Sequence, residues 1–298
     1  MKVTVIGEAN IDIAVVRSSE TSKGGCLPGR ITFHYGGVAR NVAHNLCLLG
    51  HSVRLMTVFG GDELADRLIS DCQKIGMDLS LSRQYKDTKS PVFLSFNDET
   101  GDMLSAVSDI ALNSRMDLDW IRGRMADINT SEVVVADTLL TADALAYLID
   151  HCTVPLFIDT VSPGRALLLS EALSVSSKRS LFALKCNLAE ATALTGQADP
   201  KEAAKALNGM GIEHVYVTMG HQGALHSHDG IVTALPSFPV QLVNVTGSGD
   251  AFLAGVVHAQ SLRLSGAHAL TYGLKAAQHN IKNEAPVNPT LRISVFEE

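Results

Sequence analysis

Between residues 38 and 219, the chain alternates short β-branched, apolar runs with longer amphipathic stretches. The apolar runs are typical of buried strands, and the stretches between them have the apolar spacing of helices. The predicted strands are residues 53–58, 132–136, 155–159, 181–184 and 214–219, and the predicted helices are residues 38–49, 62–75, 141–150, 188–194 and 201–210. Such alternation predicts an α/β fold in which a doubly wound, mostly parallel sheet carries helices on both faces.

Four further strand-like segments have no helix between the members of each pair: residues 10–16 with 30–36, and 91–97 with 102–108. Residues 97–101 read Asn-Asp-Glu-Thr-Gly, which suits a hairpin loop. We expect these segments to form a small accessory sheet, a lid on the main body. No repeat or long linker divides the chain, so we expect a single domain over residues 1–298.

Composition excludes several classes of protein. Hydrophobic residues make up 46% of the 298 residues, too many for a disordered chain. The net charge of −7, without a Lys or Arg run, argues against binding to nucleic acid or anionic membranes.

Cysteine usage and hydropathy limit the cellular compartments in which we expect this protein. The five cysteines are scattered and form no C-x-x-C pair, which argues against a disulfide framework and a thiolate zinc site. No apolar stretch approaches the roughly 20 residues of a membrane span, and residues 1–7 resemble a buried strand more than a signal peptide. We therefore expect a cytoplasmic protein.

The glycine-rich turn in residues 243–252, Val-Asn-Val-Thr-Gly-Ser-Gly-Asp-Ala-Phe, carries the most chemical information. An apolar segment enters the turn and a helix is predicted over residues 251–262, so backbone N–H groups at the helix start could surround an anion. Asp250 would repel that anion, which makes sense if it is a base toward an alcohol attacking a phosphate. Asp250 could equally cap the helix. The turn alone leaves both interpretations open.

The usual nucleotide-binding motifs are missing. The chain has no G-x-x-x-x-G-K-[ST] sequence, and the turn lacks the third glycine of G-x-G-x-x-G. A nicotinamide-dependent dehydrogenase is therefore a poor fit.

Three other clusters could bind a nucleotide, a metal or a sugar. Thr218, Gly220 and Gly223 follow a predicted strand and suit phosphate or ribose contacts, although an ordinary strand-to-hairpin turn also explains them. Asn187 and Glu190 open a helix and could hold water around Mg²⁺, or form a capping box. Gly36, Gly37 and Asn41 lie where a lid strand gives way to a helix, with backbone N–H groups exposed by the glycine pair.

Taken in order, these motifs resemble the ribokinase (PfkB-type) family of sugar and nucleoside kinases over essentially the whole chain. The ordered motifs are Asn10-x-Asp12, Gly36-Gly37 with Asn41, Asn187-x-x-Glu190, Thr218-x-Gly220-x-x-Gly223 and Thr246-Gly-Ser-Gly-Asp250. Within that family, residues 36–46, 101–109, 158–162 and 243–247 are most similar to those of pseudouridine kinases. The resemblance implies a ribokinase-like fold and ATP-dependent phosphorylation of the 5′-hydroxyl of pseudouridine, with Mg²⁺.

The resemblance also implies roles for individual residues. Asp250 would be the general base, with Gly247, Ser248 and Gly249 forming the anion hole around the transferring phosphoryl group. The ribose would be bound by Asn10, Asp12, Gly36, Gly37 and Asn41, with Asp109 contacting the substrate from the lid. The nucleotide site would comprise Asn187, Thr218, Gly220, Gly223, Thr246, Gly247, Gly249 and Asn280, and Asn187 and Glu190 would position Mg²⁺ through water.

Some residues depart from the family pattern or have an ordinary explanation. Asn244 and Val245 stand where many members have Asp-Thr, which argues against the monovalent-cation site of ribokinases. Lys185 and Arg165 could approach the phosphates, but we interpret them as solvated surface charges. His221, His226 and His228 have no interleaved carboxylate, so we expect a solvated hairpin there and no metal.

Alternative functions remain. The acceptor could be ribose, adenosine, another nucleoside or a fructose derivative, and a non-catalytic nucleoside or sugar sensor is a further possibility. We expect a homodimer formed through the lid, because Phe33, Tyr35, Phe93 and Phe96 on its strands would need covering.

Overall fold

The structure, a computed structural model, describes residues 1–17, 29–99, 103–178 and 180–297. The strands are β1 Lys2–Ile6, β2 Asn10–Arg17, β3 Gly29–Gly36, β4 Ser52–Met56, β5 Val58–Phe59, β6 Arg83–Gln84, β7 Val92–Asn97, β8 Met103–Asp109, β9 Val133–Asp137, β10 Leu156–Asp159, β11 Leu181–Asn187, β12 Ile212–Thr218, β13 Ala224–His228 and β14 Ile231–Leu235. The α-helices are α1 Val38–Leu48, α2 Glu63–Ile75, α3 Leu118–Arg122, α4 Met125–Ile128, α5 Ala142–His151, α6 Pro163–Val175, α7 Leu188–Thr195, α8 Pro200–Gly209, α9 Ser248–Ser261 and α10 Gly266–Asn280.

The main sheet has the strand order β14-β13-β12-β11-β10-β9-β1-β4. Six neighbouring strands of this sheet run parallel to one another, namely β12, β11, β10, β9, β1 and β4. The strands β13 and β14 add an antiparallel edge. The predicted α/β class with a doubly wound, mostly parallel sheet is confirmed.

Both faces of the main sheet are buried. Along β9, Val134 and Ala136 pack into one apolar cluster, whereas Val133 and Val135 pack into the other. Alternate residues of a strand point to opposite faces, so a strand covered on both sides must be apolar throughout. The continuous apolar run at residues 133–136 follows from this placement.

A second, small sheet has the order β3-β2-β7-β8. Its β2–β3 and β7–β8 pairs are antiparallel, as predicted, and β2 lies parallel to β7. Every residue of the edge strand β8 is exposed. Part of the predicted hairpin loop and the predicted first residue of its second strand, residues 100–102, lie outside the described residues.

The described residues include four of the five cysteines and all the helices given above. Cys47, Cys72, Cys152 and Cys186 are free, and Cys26 lies in the segment 18–28 that is not described. Among the helices described, none is both long and apolar enough to cross a membrane.

Candidate active site

The candidate site lies at the carboxyl edge of the main sheet, where polar residues follow neighbouring apolar strands. Asp137 ends β9 opposite Asp159 at the end of β10, and Asp159 is in register with Lys185 of β11. Farther along the same edge, Asn187 is in register with Thr218. Parallel strands bring their carboxyl ends together, and ligands of open α/β sheets bind in the crevice there.

The glycine-rich turn forms the start of α9, which begins at Ser248, three residues before the predicted start. Gly247 has a φ of 75°, and a Cβ there would overlap the carbonyl of Pro286. The N–H of Ser248 donates to Val245 O at 3.1 Å, whereas within the described residues no acceptor is found for the N–H groups of Gly249 and Asp250. Free N–H groups at a helix start, together with the helix dipole, favour an anion.

Asp250 lies at the third position of α9 and is buried. Its Oδ2 accepts a 2.9 Å hydrogen bond from Asn41 Nδ2. Gly247 is the N-cap and no side chain caps the helix, so Asp250 does not cap α9. Burial, and next the charge of Asp159, raise the pKa of Asp250 to about 7, against the opposing effects of Lys185 and Asn41.

Lys185 is buried under the first turn of α9, so the interpretation as a solvated surface charge is wrong for this residue. Its Nζ donates to Asp159 Oδ2 at 2.9 Å. A Cβ on Gly249 would lie 2.6 Å from the same Nζ, so glycine is needed where the turn passes over the ammonium group. The nearby carboxylates of Asp159, Glu190 and Asp250 outweigh burial and raise the pKa of Lys185, which is charged at neutral pH.

A second group of polar residues gathers around Asp12, near the start of β2. Close contacts require glycine at both positions of the Gly36–Gly37 pair. A Cβ on Gly36 would overlap the Asp12 carboxyl, and one on Gly37, whose φ is 94°, would overlap the Glu8 backbone carbonyl. Burial raises the pKa of Asp12 to about 6, while Asn10 and Arg40 act in the opposite direction. Asn10 Oδ1 is buried and has no hydrogen-bond partner among the described residues. An orphaned buried acceptor next to a carboxyl suits a ligand that brings hydroxyl donors.

Sequence reasoning missed three buried residues beside this group. Asn113 donates to Glu8 Oε1 at 2.7 Å, and Asp137 Oδ2 accepts the Glu8 N–H at 2.8 Å. Burial, as the largest cause, raises the pKa of both Glu8 and Asp137 to about 7. The position of Asp137 directly after a buried strand was the sequence feature that could have revealed it.

Asn187 and Glu190 form the capping box that the sequence left open. Glu190 Oε2 accepts from Asn187 N at 2.8 Å and from Thr160 Oγ1 at 2.7 Å, and its Oε1 accepts from Asn187 Nδ2 at 2.7 Å. Because protein donors already use both oxygens, the carboxylate suits hydrogen bonds from metal-bound water better than direct ligation. Mg²⁺ characteristically keeps several waters, so the pair fits a hydrated ion.

The remaining predicted nucleotide residues surround the turn after β12 and the loop after α10. Gly220 and Gly223 have φ values of 58° and 97°, and the chain enters the β13–β14 hairpin directly after them. Thr218 is half-buried and Thr246 is exposed. Asn280 is buried, donates to Thr246 O at 3.1 Å and accepts from Asn288 N at 3.0 Å, so its amide supports the turn.

Asp109 and Arg165 lie at the margins of these groups. Asp109, at the end of β8, is exposed, and its Oδ1 accepts from Ala111 N at 3.4 Å. Arg165 is half-buried, and its charge lowers the pKa of Glu8, so it is less solvated than we expected.

Comparison with known proteins decides the family. A model of the pfkB family carbohydrate kinases matches residues 1–292. The chain belongs to the PfkB family. It is 27% identical over 294 residues to the pseudouridine kinase of Escherichia coli K12, covering 98% of this chain and 94% of that protein. It is 24% identical over 286 residues to the guanosine-inosine kinase of Exiguobacterium acetylicum, covering 93% of each.

A solved PfkB-fold structure supports the same conclusion about the fold. The ribokinase of Arabidopsis thaliana, solved with ribose and ATP, has a TM-score of 0.83 and 19% identity, covering 99% of this chain and 98% of that chain. Because the family match covers nearly the whole chain, this protein is a sugar or nucleoside kinase, that is, a phosphotransferase with an alcohol acceptor.

Proposed function

We propose that this PfkB kinase transfers the γ-phosphoryl group of ATP to the 5′-hydroxyl of pseudouridine. The observation that carries the proposal is Asp250, a buried carboxyl with a pKa near 7 beside two N–H groups that find no acceptor in the part of the chain that the structure describes. A base is most effective when its pKa lies near the working pH. A purely binding protein gains nothing from a carboxylate at an anion site, which argues against a sensor.

In the proposed reaction, ionised Asp250 accepts the proton of the 5′-hydroxyl as that oxygen forms a bond to the γ-phosphorus. The bond between this phosphorus and the oxygen bridging to the β-phosphate breaks, and ADP leaves with the electron pair. The N–H groups of Gly249 and Asp250 donate to the oxygens of the transferring group, and Gly247 and Ser248 shape the turn that presents them. Lys185, under the turn, balances the negative charge that gathers there.

The ribose would lie against Asp12, whose carboxyl accepts hydrogen bonds from the sugar hydroxyls. Asn10 supplies the orphaned Oδ1, and Gly36 and Gly37 let the backbone approach closely. Asn41 joins this pocket to Asp250. The sugar is thereby placed with its 5′-hydroxyl near the base.

Pseudouridine as the acceptor is supported by the similarity to a pseudouridine kinase and by the carboxyl of Glu8. Glu8 is close enough to Asp12 for that charge, after the larger effect of burial, to raise its pKa. Pseudouridine keeps an N–H at ring position N1, where uridine carries its ribose, and a carboxylate could accept it. Asp109 would approach from the side of the small sheet.

ATP would lie along Thr218, Gly220, Gly223 and Thr246, with Asn280 holding the turn behind it. Asn187 and Glu190 would hold hydrated Mg²⁺, which neutralises charge on the phosphates when bound.

We also propose that activity does not require a monovalent cation. Asn244 stands where many family members have an aspartate; its Nδ2 donates to Glu284 O at 2.7 Å and its Oδ1 accepts from Thr246 N at 2.9 Å. An amide N–H fills a position where a cation would need an oxygen. Equal turnover in potassium and tetramethylammonium salts would agree with this, and a tenfold potassium activation would refute it.

Residues 1–298 would work as one catalytic domain, with the small sheet as a lid that excludes water from the sugar. One face of this sheet carries the exposed apolar side chains of Ile31, Phe33, Phe96 and Val107, which the strand register places together. Tyr35 and Phe93, which we expected to be exposed, are half-buried. An apolar patch beside an edge strand supports a homodimer through the lid.

ADP release with MgATP tests the proposal when pseudouridine, uridine, guanosine, inosine, adenosine, ribose and fructose are compared in parallel. We expect kcat/KM to be highest for pseudouridine. Turnover highest with a purine nucleoside, which the similarity to a guanosine-inosine kinase makes the second candidate, would keep the mechanism and replace the substrate. Binding without any ADP release would instead support the sensor.

A further inference from the structure

The end of the β12–β13 pair farther from the active site carries two imidazoles and two carboxylates. His214 of β12 is directly opposite His228 of β13 in the strand register. Their rings stack with centroids 4.4 Å apart. Glu213 and Asp229 are their neighbours in the chain. The carboxylate that the sequence lacked between the histidines is thus supplied by the adjacent strand.

The donor atoms of these residues converge. His214 Nε2 lies 3.6 Å from Glu213 Oε1, and His228 Nε2 lies 3.5 Å from Asp229 Oδ2. One ligand atom from each of Glu213, His214 and His228 lies within 4.8 Å of the others. In a tetrahedral zinc site with bonds of about 2.0–2.1 Å, neighbouring ligand atoms are about 3.4 Å apart.

The second ring nitrogen of each histidine, Nδ1, has a hydrogen-bond partner on the side away from the carboxylates. His228 Nδ1 lies 3.1 Å from the Glu213 carbonyl oxygen, to which it can only donate. His214 Nδ1 lies 3.0 Å from His226 Nε2. A donated Nδ1–H leaves the Nε2 lone pair free, the arrangement found behind most metal-binding histidines.

We propose that Glu213, His214 and His228 bind one divalent transition-metal ion, with Zn²⁺ the best match to two imidazoles and a carboxylate. Asp229 or water completes the coordination. The two stacked rings must tilt toward each other so that both lone pairs meet at the ion.

The proposed site is separate from the phosphoryl-transfer site. Four residue steps along β12 separate His214 from Thr218, which places their Cα atoms about 13 Å apart. A metal there would fasten the β12–β13 pair behind the nucleotide turn. It would stabilise the folded chain by mass action, with no step in catalysis.

Calorimetric titration of the metal-free, full-length protein with Zn²⁺ in excess Mg²⁺ tests the proposal, together with the absorption spectrum of the Co²⁺ form. We expect one equivalent to bind with a Kd below about 10 μM, tetrahedral or five-coordinate Co²⁺ bands, and a higher Tm. The half-exposed His228 is the residue to change: H228Q should weaken binding at least tenfold and abolish the bands.

The matched control is His151→Gln, because His151 is exposed on α5 and has no part in the cluster. It should bind Zn²⁺ as the wild type does. Binding that is unaltered in H228Q, equally reduced in H151Q, or weaker than 100 μM in the wild type would overturn the proposal. If H228Q unfolds, Glu213→Gln provides the same comparison from the exposed carboxylate.

Discussion

The side-chain amide of Asn41 donates a 2.9 Å hydrogen bond to the carboxylate of Asp250, 209 residues later in the chain. Asn41 belongs to α1, directly after the glycine pair, and Asp250 belongs to the first turn of α9. Arg40 Nη1 donates to Asn41 Oδ1 at 3.1 Å, so the NH₂ end of the amide must face Asp250. The proposed sugar pocket and the glycine-rich turn are therefore joined through the proposed base.

The Asn41 hydrogen bond lowers the pKa of Asp250, whereas burial raises it to about 7. Only the ionised carboxylate can accept a proton, so kcat/KM should fall as the pH drops below about 7. Asn41→Ala removes the stabilising donor and should move this limb to higher pH. The pH profile of kcat/KM measures the position of this acidic limb, and the remote variant Asn129→Ala, which should leave the limb in place, is the control. A limb that stays in place would refute the coupling.

Gly249→Ala should reduce turnover while leaving the fold intact. The new Cβ would come 2.6 Å from Lys185 Nζ, displacing either the ammonium or the anion turn. Alanine is otherwise favourable in a helix, so the Tm should not fall by more than a few degrees. Gly164→Ala is the matched control, since Gly164 holds the same second position of α6 and a Cβ there would meet no atom of the other described residues within 4 Å. Equal kcat in both variants would contradict the role of Lys185.

The stability of the ligand-free protein should fall as the pH rises from 6.5 to 8. The folded-state pKa values of Glu8, Asp137 and Asp250 are raised to about 7, so the folded chain holds protons that the unfolded chain has released. This stability is present at low pH and is lost as the pH passes 7, on the order of 1 kcal/mol per group over this window. Below pH 6.5, His44 and His226, with pKa values lowered to about 3 and 4, act in the opposite direction.

Glu8→Gln isolates one of these carboxyls, because the amide oxygen can still accept from Asn113. Urea unfolding at several pH values should give a shallower decline for this variant than for the wild type. The exposed Glu63→Gln should leave the slope unchanged. An identical slope in all three proteins would show that Glu8 does not titrate near pH 7.

The proposed dimer should depend on the apolar surface of the small sheet. Phe33 is 64% exposed, and Phe33→Gln should raise the dimer dissociation constant at least tenfold, measured by analytical ultracentrifugation. Leu167→Gln, at a side chain 53% exposed on α6, should have no effect. A wild-type protein that is monomeric at micromolar concentration would reject the dimer.

Local patterns were sufficient to predict most strands of the main sheet and the helices α1, α2, α5, α7, α8 and α9, but not α10. They did not predict α6, because its exposed Leu167 and Val175 hide the spacing of the buried Ala166, Leu169 and Leu173. The strand predicted at residues 53–58 is interrupted at Thr57, which separates β4 from β5. Helix boundaries otherwise differ by a residue or two, except that α9 begins within the glycine turn.

The site was harder to predict, because its contacts connect residues far apart in the chain. Lys185 lies within an apolar strand, and only the pairing of β10 with β11 brings Asp159 to its ammonium group. The hydrogen bond that holds the Asp250 carboxyl comes from Asn41, on a different helix. Likewise, Glu213 joins the histidines of the hairpin only through the register of β12 with β13.

The variant Asp250→Asn tests whether Asp250 accepts the proton of the substrate hydroxyl. Single-turnover phosphoryl transfer should be measured with MgATP and pseudouridine, together with the calorimetric Kd of pseudouridine. We predict a loss of about 10²- to 10⁴-fold in the transfer rate, as for other general bases, with the Kd changed by less than about threefold. A variant that transfers phosphate within tenfold of the wild-type rate would contradict the mechanism.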